Sequence, residues 1–251
     1  MIGLGTLVNI ATIVAGSAIG VLLGARLPEK TNRTVTEALG LLTLVLAGLN
    51  LTSLTDKGFV TAAGQVGTFM IVIFAMLFGT ITGSLLGIER RLESFGGWLQ
   101  KRLSRGKTQS GEARERFITG YVDASLIFAI GPMAILGSIA DGTDHDPNTL
   151  IIKAILDGFA CIAFAASLGW GVAASSITVG LWQGLVTIVA AFAGAFIPGA
   201  MIAAITATGG ILMLAISLRL LNLKPIAVAD MLPALAFAPL LTWVVGAFFG
   251  N

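Results

Sequence analysis

Lys153 and Asp157, of opposite charge and four residues apart, both fall inside a long apolar run. On a helix that spacing puts both on one face within pairing reach. An ionisable group at membrane depth costs roughly 2.5–3.5 kcal/mol on insertion scales, which makes it a functional candidate. The pair is open to two readings: a structural ion pair, or a carboxylate that exchanges Lys153 for a proton or a transported cation. Asp123 and Asp230 are two further carboxylates in apolar stretches. Asp123 is open to pairing with Arg114 or Arg116 at the interface, and Asp230 to capping a helix start by accepting from free backbone N–H groups. Neutral polar groups, Asn9, Thr12, Asn50, Gln183, Thr187 and Asn222, are spread through other runs, and Thr206-Ala207-Thr208-Gly209-Gly210 joins two hydroxyls to a helix-weakening glycine pair. A helix broken there, or at Gly131-Pro132, frees backbone groups that can replace the water around an ion. Taken singly, each group also reads as an interhelical hydrogen bond; together they read as a polar seam.

Other chemistries find less support. Asp144-His145-Asp146 with Asp141 offers carboxylates and an imidazole to a divalent cation. Without ligand spacing on a defined helix it reads as a solvated acidic loop, and the question of a metal stays open. No nucleotide-binding loop, nucleophile elbow or Cys/His cluster occurs. ATP-driven transport and intramembrane hydrolysis therefore have no residues to stand on, and neither an enzyme nor a cofactor is expected. The single cysteine, Cys161, excludes an intrachain disulfide and reads as a small packing residue.

The elements that carry these residues are membrane spans. Hydrophobic residues make up 56% of the chain against 11% charged, well outside soluble composition. Crossing a hydrocarbon core of about 30 Å takes roughly 20 apolar residues. Runs and breaks predict eight spans, at roughly 5–24, 35–54, 59–88, 117–140, 149–170, 177–197, 201–221 and 227–249. The third is long enough to be tilted or broken, and 149–180 has room for a re-entrant hairpin. Period-2 alternation is absent, so a transmembrane barrel is a poor reading. The 32 glycines suit close helix contact, and Gly16-x3-Gly20-x3-Gly24 and Gly79-x3-Gly83-x3-Gly87 read as packing faces. They predict a homodimer, or else packing within one chain.

Charge sets the expected orientation. The 89–116 segment holds Arg90, Arg91, Lys101, Arg102, Arg105, Lys107, Arg114 and Arg116, and Arg26, Lys30 and Arg33 follow the first span. Positive loops stay cytoplasmic, so both termini are expected outside, periplasmic in an inner membrane. Asp56, Asp141, Asp144 and Asp146 then fall outside with them. The first residues are not a signal peptide, because no positive stretch precedes the apolar run. From Ile88, the pattern Ile88, Leu92, Phe95, Trp98/Leu99, Leu103 predicts an amphipathic interfacial helix, read either as a topogenic anchor or as a basic patch for anionic lipid or a partner.

Three echoes recur in order. Thr12-Ile13-Val14-Ala15 returns as Thr187-Ile188-Val189-Ala190, Leu49-Asn50-Leu51 as Leu221-Asn222-Leu223, and Phe74-Ala75-x-Leu77 as Phe237-Ala238-x-Leu240. Five span positions, an odd number, separate the first span from its echo, so the copies point in opposite directions. The expected fold is an all-α integral membrane protein forming one polytopic domain, 1–251. Inverted repeats (about 1–88 and 177–251) flank an amphipathic connection (about 88–116) and central spans (about 117–175). Ligands of such folds bind near the midplane where the repeats meet.

Phe128-x2-Gly131-Pro132-Met133-Ala134-Ile135-Leu136-Gly137-Ser138, then Leu156-Asp157-Gly158-Phe159, Ala207-Thr208-Gly209-Gly210 and Leu232-Pro233-Ala234-Leu235, together with the opening Gly5-Thr6-Leu7-Val8-Asn9, form an ordered series. It resembles the bacterial membrane-protein family DUF 554, or YdfK/YqgA-like, over essentially the whole chain. The resemblance implies an integral inner-membrane protein with a suspected transport role and offers no active site to carry over. The family pattern usually has an amide before Leu-Pro-Ala where this chain has Asp230, which lowers Asp230 and raises Asp157 as an essential acid. The combined expectation is a secondary transporter of a small solute, a cation above all, driven by H+ or Na+ through rocking or elevator-like movement. Its partners are the lipid bilayer and that solute, with no nucleic acid. The candidate site residues are Asp157, Asn9, Asn50, Asp123, Gln183, Thr206, Thr208, Gly209, Gly210, Asn222 and Asp230. An ion channel, or a non-transporting sensor or assembly protein, is the alternative.

Overall fold

The computed structural model of the chain describes residues 2–26, 28–103, 111–193 and 198–249. These are helical throughout: α1 (Leu4–Gly24), α2 (Glu29–Leu51), α3 (Lys57–Ala63), α4 (Gln65–Leu86), α5 (Ile88–Leu103), α6 (Gly111–Ile130), α7 (Pro132–Thr143), α8 (Asn148–Leu168), α9 (Gly171–Ala193), α10 (Gly199–Leu220) and α11 (Ala234–Phe249), with 3-10 turns at Thr52–Thr55 and Val228–Met231. Among the described residues, seven helices are long and apolar enough to cross a membrane, and α6–α7 make an eighth crossing if that pair, bent by 60°, is one span. The chain forms two compact units, residues 1–39 with 92–195 and residues 40–91 with 196–251.

In the first unit, α1 is inside out relative to a soluble helix. Its buried face is Gly5, Thr6, Asn9, Ile13, Gly16, Ser17, Gly20 and Gly24, mostly small or polar. Leu7 and Leu22 point outward, at 61% and 69% exposure. A hydrocarbon surround rewards this, because apolar side chains are as content in lipid as in a core and small residues bring backbones together. The partner of α1 is α8. A Cβ on Gly5 would strike Leu150, one on Gly16 the Gly158 carbonyl, one on Gly20 the Ile162 carbonyl and one on Gly24 the Ala166 carbonyl. Both residue numbers rise together, so α1 and α8 run parallel in tight register. The α6–α7 pair traverses the same unit. Arg116 Nε donates to the Ser167 carbonyl at 2.7 Å, near the α8 C-terminus, whereas Asp141 in α7 accepts from the Gly3 and Gly5 N–H groups at 3.3 and 3.2 Å, at the start of α1. α9 follows that traverse, with Gly171 against Phe117, Thr178 bonded to Tyr121 and Thr187 beside Gly142.

In the second unit, Phe59, Ile71, Val72, Ala75, Ala203, Ala204, Ala207 and Ala238 form the core. α10 is its most enclosed helix. The C-terminal half of α2 runs antiparallel to α10: Gly40 receives the Ser217 hydroxyl, Ala47 meets Gly210, and Asn50 reaches Met213. α4 runs antiparallel to α11 and its leading turn, with Phe78 on Phe237, Gly79 on Ala234 and Gly83 on Asp230.

Several expectations are corrected. The third span is broken, as its length allowed, at Gly64 (φ 73), and its start is corrected: the crossing helix begins at Gln65 rather than 59, and Asp56 caps the short α3 by accepting from the Phe59 N–H. α9 starts at Gly171 rather than 177 after a turn at Gly169, and α8 and α9 are full-length helices with no re-entrant hairpin between them. α10 is not broken at Gly209-Gly210. Thr206 and Thr208 return their hydroxyls to the Ile202 and Ala204 carbonyls at 2.8 and 2.7 Å, and Gly210 admits α2, its added Cβ lying 3.0 Å from the Ala47 carbonyl. The break at Gly131-Pro132 is present, since proline cannot continue the α6 hydrogen-bond ladder. Both glycine faces pack within the chain, α1 on α8 and α4 on α11, which leaves the expected homodimer without the surfaces from which it was read.

Candidate functional site

The first unit gathers Asp157, Asn9, Gln183 and Asp123 among its buried groups. Lys153 Nζ and Asp157 Oδ2 form an ion pair along α8, with side chains only 6% and 10% exposed. Asp157 is two turns or so from the α8 N-terminus, and Gly158 beside it lets Thr12 of α1 approach. Asn9 of α1 lies within hydrogen-bonding reach of Asp157, and its Nδ2 donates to Gln183 Oε1 of α9 at 3.0 Å. The amide of α1 thus links the carboxylate on α8 to α9. Lys153 Nζ also lies 5.9 Å from the Phe128 ring centroid, and Phe128 packs edge-on against Phe164.

Beside this pair sits a polar box whose hydrogen-bonding capacity is not used up. Thr6 Oγ and Asn9 Oδ1 on α1, and Gln183 Nε2 and Thr187 Oγ on α9, are buried atoms with no hydrogen-bond partner among the described residues. A buried unpartnered polar atom costs about 1–3 kcal/mol, so four in one place need an explanation beyond packing. Two hydroxyls, an amide oxygen and an amide N–H can complete the shell of a small polar ligand next to a carboxylate. Asp123 is fully buried on α6, seven residues and roughly 10 Å of helix from Arg116, which bonds the end of α8.

The remaining sequence candidates belong to the second unit and have local roles there. Asn50 Nδ2 donates to Met213 Sδ at 3.1 Å. Asn222 is exposed with φ 55, and the 3.0 Å bond from Leu223 N–H to the Leu218 carbonyl makes it the left-handed residue of a Schellman helix end. Asp230 does cap a helix, though not its own: Oδ1 accepts from the Glu89 N–H at 2.8 Å, at the start of α5. Glu89 reciprocates, accepting from the Ala229 N–H at 2.7 Å and from Arg219 at 2.6 Å. Thr206, Thr208, Gly209 and Gly210 are part of the continuous α10.

Sequence reasoning missed Thr6 as a member of the box and took Asp141 for a solvated loop residue. Asp141 is fully buried and caps α1 through Gly3 and Gly5. Its neighbour Asp146 accepts from the Asn148 N–H at 3.0 Å, so the acidic cluster is divided between two helix starts.

The DUF554 family profile, described as "Protein of unknown function (DUF554)", matches residues 4–243. The chain belongs to the DUF554 family. Within reach of it is a relative from Escherichia coli (strain K12) named "Uncharacterized protein YqgA", 29% identical over 235 residues and covered to 94% on both chains. Another, "Uncharacterized membrane protein YdfK" from Bacillus subtilis (strain 168), is 26% identical over 246 residues, with 97% of both chains covered. No solved structure matches the chain. The DUF554 match contains both the Lys153–Asp157 pair and the α1–α9 box, and a multi-pass membrane protein is the setting in which such a buried pair acquires meaning.

Proposed function

We propose that this DUF554 protein is a secondary transporter that moves a small solute, a cation, across the bacterial inner membrane by alternating access coupled to H+ or Na+. The observation that carries this reading is the buried Lys153–Asp157 pair lying against Asn9, with four unpartnered polar atoms alongside. A carboxylate that must exchange partners needs somewhere for the displaced ammonium to go. The Phe128 face supplies it, since a desolvated ammonium over an aromatic ring is worth up to about 2 kcal/mol. Asn9 Oδ1 and the Thr6 and Thr187 hydroxyl oxygens are then the unused acceptors for the incoming cation, while Gln183, its oxygen taken by Asn9, holds the Asn9 amide in place.

Two arrangements support the transporter architecture. α8 parallel to α1 requires three crossings between them, α2, α4 and α6–α7 taken as one bent span. That favours eight spans with both termini on one side, and the positive charge of the 89–116 segment supports termini outside. Inverted repeats are supported by pairing. α1 lies against α9, α2 against α10 and α4 against α11, and in each pair one residue number rises as the other falls. An in-plane pseudo-two-fold axis sets each helix antiparallel to its own counterpart in this way.

The test is uptake by proteoliposomes under imposed pH and sodium gradients. The expected result is gradient-dependent cation flux that Asp157→Asn abolishes in correctly inserted protein. Unchanged flux in Asp157→Asn would remove the carboxylate from the mechanism, and unitary conductance steps in planar bilayers would replace the transporter with a channel.

A further inference from the structure

α5 follows the spanning helix α4 after a single residue. The spanning helix α4 ends at Leu86, Gly87 turns the chain in the left-handed region (φ 61), and α5 begins at Ile88. The start of α5 is held from two sides by the Asp230 cap on the Glu89 N–H and by the Glu89–Arg219 ion pair at 2.6 Å. Along α5, Gly96 backs onto Tyr121, where an added Cβ would come within 2.7 Å of the ring, and Leu99 and Gln100 are buried. Flanking this buried face is an exposed one, with Phe95 at its edge, 6.1 Å from Tyr121 between ring centroids.

That face is a stripe at helical spacing: Arg91, Phe95, Trp98 and Arg102, all exposed. Phe95 and Trp98 stack at 5.5 Å between centroids, and the Arg102 guanidinium lies 5.2 Å over the Trp98 ring. Two aromatic residues thus lie between two arginines whose backbone positions are about 16 Å apart along the helix. Glu93, the exposed carboxylate of α5, is not on this stripe. Tryptophan favours the headgroup level of a bilayer, and guanidinium groups bind phosphate bidentately. We propose that the Arg91–Phe95–Trp98–Arg102 stripe is a binding site for an anionic phospholipid of the leaflet in which α4 ends. The arginines take headgroup phosphates and the rings sit at the boundary with the acyl chains. A wholly polar partner would leave the stacked rings wet, whereas the lipid surface satisfies both chemistries together.

The test uses the full chain with Trp170, Trp182 and Trp243 changed to Phe, so that Trp98 alone reports. It is placed in nanodiscs with equal mole fractions of brominated phosphatidylglycerol or brominated phosphatidylcholine. Phosphatidylglycerol should quench Trp98 more strongly, with a local enrichment on the order of tenfold for two arginines near an anionic surface. Arg91→Gln with Arg102→Gln should abolish the preference, and Arg90→Gln with Lys101→Gln, off the stripe, should leave most of it. Equal quenching by the two lipids overturns the proposal. So does a preference that survives loss of both stripe arginines, or one that the off-stripe pair abolishes equally, since charge alone would then suffice. The readout does not depend on transport.

Discussion

Removing one member of the Lys153–Asp157 pair and removing both should differ in stability while agreeing in activity. The two side chains are 6% and 10% exposed, so a single substitution strands a buried charge. Breaking such a pair costs about 3–5 kcal/mol, whereas replacing both partners with apolar residues of similar volume is often neutral or stabilising. For a chain of this size that predicts a fall in apparent Tm of roughly 6–20 °C for Asp157→Leu or Lys153→Met alone. The double variant Lys153→Met/Asp157→Leu should return close to the parent. Thermal unfolding followed by intrinsic fluorescence in detergent supplies the stabilities, and proteoliposome uptake supplies the activity. A structural pair would restore both stability and flux in the double variant; a transport carboxylate restores stability alone. Uptake at the parental rate in the stable double variant would refute the assignment of Asp157 to the mechanism. Unchanged Tm in both single variants would refute its burial as a coupled pair.

Other outcomes follow from the same geometry. Gly24→Ala should lower stability by about 1–3 kcal/mol, because its Cβ meets the Ala166 backbone, whereas Gly184→Ala, which faces open space, should leave thermal unfolding unchanged. Asn9→Ala and Gln183→Ala should be coupled by about 0.6 kcal/mol in a double-mutant cycle of unfolding, the usual worth of an interhelical hydrogen bond in a membrane, and additivity would place the two amides apart. Asp230→Asn keeps an oxygen for the Glu89 N–H and should retain both fold and flux, while Asp230→Ala should lose about 1 kcal/mol of stability with flux per folded molecule unchanged.

Hydropathy reveals the spans because each must carry its own apolar length, and proline reveals the Gly131 break because its missing N–H acts locally. The amphipathic pattern of α5 is local in the same sense and was readable, whereas its partners Asp230, Ala229 and Arg219 lie more than a hundred residues away and were not. Nor was Asp141. Its partners, the Gly3 and Gly5 N–H groups, lie more than a hundred residues away, and nothing within the acidic run distinguishes a capping carboxylate from a solvated one. Gly209-Gly210 misled for a related reason. Glycine weakens an isolated helix, but here it meets the α2 backbone, and that contact decides the outcome.

The three echoes differ in how closely their structural settings correspond, and the difference has a physical source. Ala75 and Ala238 are both fully buried in one core, at the place where α4 crosses α11. A helix that packs against its own counterpart must present matching small residues at the crossing, since a larger side chain on either copy would separate both. Ile13 is fully buried while Ile188 is 54% exposed, and Asn50 sits within α2 while Asn222 terminates α10. Asn50 lies at the α2–α10 contact through Met213, whereas Asn222 ends α10, so the two asparagines have separate roles. On α1 and α9, Asn9 faces Gln183, unlike amides that bond each other and leave one acceptor and one donor unpaired among the described residues. On the proposed inverted repeats, a site beside these amides is asymmetric, because its carboxylate, Asp157, is supplied by α8, which lies outside both proposed copies.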